Sequence, residues 1–316
     1  MPFSHRIAPC VALFRKLLLF DKLTLSVLVV LPSLYLFSGR IAAAGPMLRY
    51  GHLIVITAVL VLIHRQESLP SSLRLLRYGY PLLCLTFFFG EVGGVVSIFF
   101  PYWLEPFLIR SDVILLGGWH GWEFFVPYLN AVEVEILAFA YWSYFWLIPL
   151  VAGLHYRAQS VQNGKPLFFS FERVMARLCA VMFTCYGLFL LLPARGPHHA
   201  LHVHIDQLVS GGLFFHAVLW IQKQSAVVGA AFPSSHVAAA WTLWLTLRKD
   251  FRTTLWLLLP LVALLTVSTF ILQYHYVVDA AAGMLLAFAF EWFMARSEVP
   301  VAPPAARKPV QYAWQE

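Results

Sequence analysis

The chain has 316 residues, of which 60% are hydrophobic and 12% are charged, against roughly 45 to 50% and 25% in ordinary soluble domains. This composition excludes a soluble enzyme and predicts an all-α, polytopic membrane helical bundle. The formal net charge is +7, but the basic residues are scattered between apolar segments, so we expect no nucleic-acid partner.

The apolar stretches, taken in chain order, are close to the length of a membrane span. Because about 20 helical residues cross a hydrocarbon core roughly 30 Å thick, we expect about eight transmembrane helices. Their predicted ranges are 23–39, 47–64, 79–100, 131–154, 177–193, 234–247, 254–273 and 279–295.

Three regions differ in composition. Residues 1–130 end in a stretch rich in Trp and Tyr, so we expect an N-terminal transmembrane and interfacial region. Residues 131–295 carry the remaining predicted spans and the most informative polar motifs. Residues 296–316 contain four prolines, which oppose a helix, and they are predicted to form a disordered cytoplasmic tail.

The distribution of basic residues predicts the orientation in the membrane. Seventeen of the 22 Lys and Arg residues fall in alternate connecting segments, namely 1–22, 65–78, 155–177, 248–253 and 295–316. Cytoplasmic loops carry an excess of basic residues, so both termini are predicted to be cytoplasmic. The opposite, extracytoplasmic face carries the other five basic residues, which are Arg40, Arg49, Arg110, Arg195 and Lys223.

Three polar segments fall on that same extracytoplasmic face. They contain Arg195, the run from Ser234 to His236, and the run from His275 to Asp279. His236 and His275 are 39 residues apart, about 58 Å of helix rise, which corresponds to one passage across the membrane and one passage back. We therefore expect the two histidines to meet at one surface.

The chemistry of these groups is typical of phosphoryl transfer. Asp279 lies one helical turn from His275, so its carboxylate can accept a hydrogen bond from one imidazole nitrogen and leave the other as a nucleophile or base. Ser234 and Ser235 follow a proline and predict a helix start, where free amides favour an oxyanion. Arg195 adds a planar cation matched to phosphate oxygens. This set needs no metal and no cofactor.

Other polar residues leave alternatives open. His120, His155 and His216 are interpreted as interfacial residues, because lone histidines near a membrane surface are commonplace. Four loop histidines and Asp206 form a possible zinc site; the histidines are His198, His199, His202 and His204. Glu91, Glu133 and Glu135 lie in or beside predicted spans, where carboxylates are costly, and some of them are expected to line a polar headgroup pocket.

The three motifs resemble those of the type 2 phosphatidic acid phosphatase (PAP2) superfamily, whose members share Arg-Pro, Pro-Ser-x-His and His-x-x-x-Asp motifs. In this chain they correspond to residues 195–197, 233–236 and 275–279. The sequences of residues 231–237 and 275–283, together with Asp112 and the residues that follow it, are most similar to the branch that contains fungal inositol phosphorylceramide synthase.

This resemblance implies a six-helix PAP2-like catalytic core within 131–295 and a lipid phosphate ester as substrate. It implies that His275 attacks phosphorus to form a phosphohistidine, that Asp279 orients its ring, and that His236 protonates the leaving group. Arg195, Ser234 and Ser235 would hold the phosphate oxygens. The acceptor would be water or an alcohol, such as inositol or a ceramide-like lipid.

The motifs also depart from the family pattern. Leu188 and Thr269 occupy positions where the family usually has a lysine and an arginine, and Lys223, Arg110 or a loop histidine are the candidate replacements. A catalytically inactive lipid-binding member and a transporter remain as alternative functions. A transporter would spread its ionisable residues through several spans, whereas here they cluster at one surface.

Overall fold

The computed structural model describes residues 13, 16–38, 50–96, 100–158, 160–162, 165–167 and 169–297. Within these ranges the chain forms fourteen α-helices, one short 3-10 turn and one small antiparallel hairpin. The all-α fold class is therefore confirmed. Nearly all of the segment predicted to be a disordered tail, 296–316, lies outside the described residues.

Short helices lie between some of the longer ones in sequence. The helices are α1 Leu19–Phe37, α2 His52–His64, α3 Ser71–Val95, α4 Glu105–Leu115, α5 Gly121–Phe125, α6 Ala131–Trp142, α7 Tyr144–Arg157, α8 Phe169–Leu191, α9 Pro197–Ala200, α10 Ile205–Leu208, α11 Leu213–Ser225, α12 Ser235–Asp250, α13 Arg252–Ile271 and α14 Val277–Ser297. The hairpin pairs β1 Ser160–Gln162 with β2 Lys165–Leu167, and the 3-10 turn is Val126–Tyr128.

The helices suit an integral membrane protein. Helices α1, α8, α13 and α14 are long and apolar enough to cross a membrane, and the bent pair of α6 and α7 makes a fifth candidate among the described residues. All eight segments predicted as spans contain helix, but α2 has 13 residues and α12 has 16, fewer than the roughly 17 to 25 that a span requires.

The helix predicted over 131–154 is broken in the structure. Helices α6 and α7 meet at Ser143 with a bend of 42°. The Ser143 hydroxyl donates to the carbonyl oxygen of Ala140 at 2.6 Å, and this kind of bond to the preceding turn bends helices. The prediction of one continuous helix was wrong at this position, because a single serine in an apolar run barely changes hydropathy.

Helix α12 packs against four other helices, α7, α8, α13 and α14. Ala238, Ala239 and Ala240 on α12 are completely buried, and their small side chains let neighbouring backbones approach closely. A Cβ atom on Gly283 would lie only 2.4 Å from the carbonyl oxygen of Ser234. Glycine at this position therefore allows α14 to pack directly on the start of α12.

The three carboxylates expected at a headgroup pocket have structural partners instead. Glu91 lies 3.1 Å from the imidazole of His52. Glu133 accepts from the amide of Asn130 at 2.9 Å and closes a capping box at the start of α6. Glu135 accepts from three amides at the start of α11, those of Gly212, Phe214 and Phe215. The bonds of Glu133 and Glu135 fix helix ends and Glu91 pairs with a histidine, so the headgroup-pocket interpretation is not supported for them.

Candidate active site

Backbone hydrogen bonds join the three polar motifs. The amide of Ala231 donates to the carbonyl of Ala194 at 3.0 Å, and the amide of Ala194 donates to the carbonyl of Gly229 at 3.2 Å. The segment carrying Arg195 therefore runs beside the segment that leads into α12. The amide of Ser234 donates to the carbonyl of Asp279 at 3.1 Å, which ties the start of α12 to the first turn of α14. The predicted meeting of the motifs is present in the structure.

His275 lies in the turn between α13 and α14, and its side chain is buried. Its Nδ1 atom is 3.0 Å from the carbonyl oxygen of Ala231 and 3.4 Å from Oδ2 of Asp279. Burial lowers the pKa of His275 to about 4, against the opposing effect of the Ala231 bond. Because a carbonyl oxygen only accepts hydrogen bonds, the neutral ring carries its proton on Nδ1. Nε2 therefore keeps its lone pair.

His236 lies in the first turn of α12 and faces His275. The centroids of the two imidazole rings are 6.0 Å apart. Nε2 of His236 is 3.4 Å from the hydroxyl of Tyr141, and this hydroxyl accepts from the side-chain amide of Gln222 at 2.6 Å. The Tyr141 proton is therefore available to His236. The ring centroids of Tyr144 and Tyr141 lie 4.5 and 5.1 Å from that of this imidazole, so both rings restrict its orientation.

Arg195 forms an ion pair with Glu105 at the start of α4. Its Nε donates to Oε1 of Glu105 at 2.5 Å, and its Nη2 contacts the same oxygen. Glu105 is buried, whereas the Arg195 side chain is 39% exposed. The guanidinium carbon also lies 5.0 Å from the ring centre of Trp103, a cation–π contact. Two donors of the arginine are thus used to hold it in place, and the remaining ones can face a ligand.

Two aspartates fix the start of α14. Asp112 on α4 accepts from the amides of Val277 and Val278 at 2.8 and 3.1 Å. Asp279 accepts from the amide of Tyr276 at 3.1 Å. Burial raises the pKa of Asp112, although the two amide bonds oppose this effect. The carboxylate beside His275 therefore stands on a helix end that is capped from another helix.

The two serines predicted to bind phosphate start α12. The Ser234 hydroxyl accepts from the amide of Val237 at 3.4 Å and acts as the N-cap. Because the Ser234 amide already donates to the carbonyl of Asp279, it is not available to an anion. In the described part of the chain, the amides of Ser235 and His236 carry no bond and remain the candidates for an oxyanion at this helix start.

The positions that lack the family's cations have other surroundings. Thr269 is buried, and its carbonyl accepts from the amides of Tyr274 and His275 at 3.0 and 2.9 Å, so this residue shapes the turn rather than supplying charge. His198 lies beside that turn, with its ring centroid 6.5 Å from that of Tyr274. Burial lowers the pKa of His198 to about 4, and the neighbouring His199 and His275 lower it further.

The zinc interpretation of the loop histidines gains no support. Among the described residues, no group of three or more His, Cys, Asp or Glu side chains is arranged to hold a metal ion. His198 and His199 are close, with ring centroids 4.0 Å apart, whereas His202 and His204 are exposed.

A small cavity opens beside His275 at the predicted extracytoplasmic end. Its walls are largely apolar, with Ile109, Phe125, Leu201 and Phe270 among them, and His275 forms part of the lining. The remaining lining residues are Asp112, His120, Gly121, Pro197, Gln273, Tyr276 and Val277. An apolar cavity that reaches a histidine is suited to the part of an ester next to its phosphate. His120, interpreted from the sequence as a lone interfacial residue, therefore lies near the site.

Several residues of the site could not be recognised from sequence. Glu105 and Trp103 hold Arg195, although Glu105 is 90 residues distant along the chain. Tyr141 contacts His236, and Gln222 contacts Tyr141, from two helices that were not expected to contribute. The one available signal was a carboxylate, Glu105, in an otherwise apolar interfacial stretch.

The comparison with protein families agrees with this geometry. A family model described as PAP2 superfamily matches residues 108–293, which include Arg195, both histidines and Asp279. No curated protein and no solved structure shows significant similarity to the chain. Because the family model covers more than half of the chain, the protein belongs to the PAP2 superfamily.

Proposed function

We propose that this protein is a membrane-embedded lipid phosphatase or phosphotransferase that acts through a phosphohistidine on His275. Membership of the PAP2 superfamily supports phosphatase-type activity on phosphate esters. The observation that carries the finer proposal is the bond from Nδ1 of His275 to the Ala231 carbonyl, because it leaves Nε2 unprotonated, opposite a second imidazole.

In the first step, Nε2 of His275 attacks phosphorus while the bond from phosphorus to the leaving alcohol breaks. The new N–P bond makes the ring cationic, and the Ala231 carbonyl and the Asp279 carboxylate, 3.0 and 3.4 Å from Nδ1, stabilise that charge. His236 enters this step as the imidazolium, gives its proton to the departing alkoxide and becomes neutral. Arg195 and the free amides at the start of α12 hold the phosphate oxygens.

In the second step, His236 accepts a proton from water or from an acceptor alcohol as its oxygen attacks phosphorus. The N–P bond breaks, and the electron pair returns to His275. Hydrolysis and transfer therefore use the same residues and differ only in the acceptor. No step in this scheme requires a metal or a cofactor.

The proposal is tested by turnover of the purified protein in detergent micelles. One assay measures phosphate release from phosphatidic acid, and a second measures headgroup transfer from phosphatidylinositol to a ceramide acceptor. We expect His275→Ala to abolish the reaction that the wild type performs. His64→Ala, an exposed histidine at the end of α2, is the matched control and should retain full activity.

The second assay tests the inositol-phosphate transfer that the motif sequences favour. Phosphate release without transfer would assign the protein as a phosphatase, and transfer of the headgroup would assign it as a phosphotransferase. Absence of both reactions in a folded wild-type protein would contradict the proposal and favour a catalytically inactive lipid-binding protein.

We also propose that the site faces the extracytoplasmic side, with both termini in the cytoplasm. The bias of basic residues between alternate segments supports this orientation. Labelling of a single cysteine placed at exposed Tyr128 with a membrane-impermeant reagent in intact cells tests it. Protection in intact cells and labelling only after permeabilisation would contradict the orientation.

A further inference from the structure

A second polar cavity lies at the other end of the bundle. It is lined by His155 of α7, by Arg173 and Arg177 of α8, by Lys249 of α12 and by Glu291 of α14. Ser170, Val174, Leu245 and Thr246 complete the lining. Helices α12 and α14 carry His236 and Asp279 at their opposite ends, and Tyr144 at the start of α7 contacts His236, so the cavity is separate from the active site.

Helix geometry gives the separation. Lys249 lies thirteen residues after His236 on α12, about 20 Å of helix rise. Glu291 lies twelve residues after Asp279 on α14, about 18 Å. The phosphoryl-transfer scheme uses none of the residues that line the second cavity.

The cavity has an excess of positive charge. Arg173 pairs with Asp250 at 2.9 Å, and Glu291 is shared between Arg177 and Arg248 at 2.6 Å each. Among the described residues, the cluster with Lys249 contains four cations and two carboxylates, a net charge of +2 with His155 neutral. A partly buried excess of cations, including three arginines with planar donor groups, favours a phosphate.

His155 adds a buried polar group without a partner. The residue is 1% exposed, and its Nε2 makes no hydrogen bond within the described residues. On its other side, Nδ1 contacts the hydroxyl of Ser170, which donates to Asp250 at 2.8 Å. This series of hydrogen bonds from His155 through Ser170 to Asp250 stabilises a doubly protonated imidazole once an anion is bound. Nε2 of His155 then becomes a hydrogen-bond donor.

Exposed aromatic residues mark this end as the level of lipid headgroups. Trp256, in the first turns of α13, is 58% exposed, and Trp292 and Phe293 of α14 are 59% and 64% exposed. The guanidinium carbon of Arg296 lies 3.8 Å from the ring centre of Trp292. Trp at the ends of spans, beside basic residues, is typical of the membrane interface. An anion in the cavity is therefore more readily supplied by a lipid than by solution.

We propose that the cavity formed by His155, Arg173, Arg177 and Lys249 binds the phosphate of an anionic membrane lipid that is not the substrate. Basic pockets between membrane helices bind anionic headgroups in this way. The lipid would link α7, α8 and α12 at the end opposite the active site, and its binding would stabilise the fold.

The test uses the full chain with His275→Ala, so that no lipid is turned over. Protein in detergent micelles is titrated with phosphatidylglycerol or with phosphatidylcholine, and the thermal unfolding midpoint is followed. We expect phosphatidylglycerol to raise the midpoint with saturation and phosphatidylcholine to have no effect. Adding Arg173→Gln with Lys249→Gln should weaken the apparent affinity by roughly tenfold or more.

Three variants separate the cavity from other effects. Lys249→Gln alone changes an exposed side chain and should fold normally, with an intermediate loss of affinity. Arg252→Gln removes an exposed charge at the same end outside the cavity, and Arg195→Gln alters the active site; both should bind within about twofold of the parent.

Four results would overturn the proposal. The first is unchanged binding in the double variant, and the second is an equal loss in Arg252→Gln, which would indicate non-specific attraction. The third is a rise in the midpoint with inorganic phosphate alone that is abolished by the double variant, because a soluble phosphate would then be the ligand. Loss of binding in Arg195→Gln would place the lipid at the active site and would also overturn it.

Discussion

The imidazole of His275 is held by the backbone of Ala231 more closely than by the carboxylate of Asp279. Nδ1 of His275 lies 3.0 Å from the Ala231 carbonyl and 3.4 Å from Asp279. The His-x-x-x-Asp spacing predicts the aspartate as the group that orients the ring. In the structure, a carbonyl from the segment preceding α12 also orients the ring. Asp279 supplies the negative charge beside it.

Asp279→Asn should therefore slow the reaction without abolishing it. The amide oxygen can still accept from Tyr276, and the Ala231 carbonyl still orients the ring, but the negative charge beside the cationic intermediate is lost. We expect kcat to fall by about 10- to 100-fold with little change in KM. Steady-state kinetics beside His275→Ala measure this difference. Complete inactivation of a correctly folded Asp279→Asn protein would show that Ala231 does not orient the ring.

The protonation state of His275 is directly measurable. Burial disfavours the charged ring, so the proton that a free histidine binds below about pH 6.5 should bind His275 only near pH 4. We expect nitrogen NMR of labelled histidine, assigned with His275→Ala, to show a neutral ring protonated on Nδ1 at pH 7. A midpoint near pH 6.5, or a proton on Nε2, would contradict the geometry.

Glu105 should act as a positioning residue for Arg195. Glu105→Gln keeps the shape of the side chain but removes the charge that holds the guanidinium, so we expect KM to rise by about tenfold with a smaller change in kcat. Glu133→Gln is the control, because Glu133 is an exposed capping residue.

A double-mutant cycle tests whether Glu105 acts through Arg195. Once Arg195→Gln is present, adding Glu105→Gln should have little further effect on KM. If the two substitutions instead raised KM additively in the double variant, Glu105 would act independently of the arginine.

Gly283→Ala should separate α12 from α14. The added Cβ would lie 2.4 Å from the Ser234 carbonyl, so the helices must move apart, at a cost of about 1 to 3 kcal/mol. We expect a lower unfolding midpoint and a loss of activity, because His236 and Asp279 stand on these two helices. Gly187→Ala, where nothing lies within 4 Å of the added atom, should leave the midpoint unchanged or raised. Equal effects of the two substitutions would contradict the close packing.

The helical fold and the meeting of the three motifs could be predicted from sequence, because long apolar runs and motif order are local signals. The break at Ser143 could not, since it depends on one hydroxyl bonding to the preceding turn. Hydropathy also predicted spans where the helices are short, since α2 has 13 residues and α12 has 16.

The residues that surround the motifs could not be predicted in the same way. Ala231 contributes a backbone carbonyl, which leaves no mark in the side-chain pattern. Glu105 and Tyr141 reach Arg195 and His236 only through the packing of helices distant in sequence. The occupied amide of Ser234 likewise depends on contact with α14.

The central claim is covalent catalysis by His275, and trapping the phosphorylated protein tests it most directly. Protein is quenched in alkali during turnover of a lipid labelled in its phosphate, since phosphohistidine survives base and is hydrolysed by acid. We expect a base-stable, acid-labile label that is found on the peptide containing His275 and is absent from His275→Ala. Turnover by the wild type with no such label, or an equal label on His275→Ala, would contradict the account.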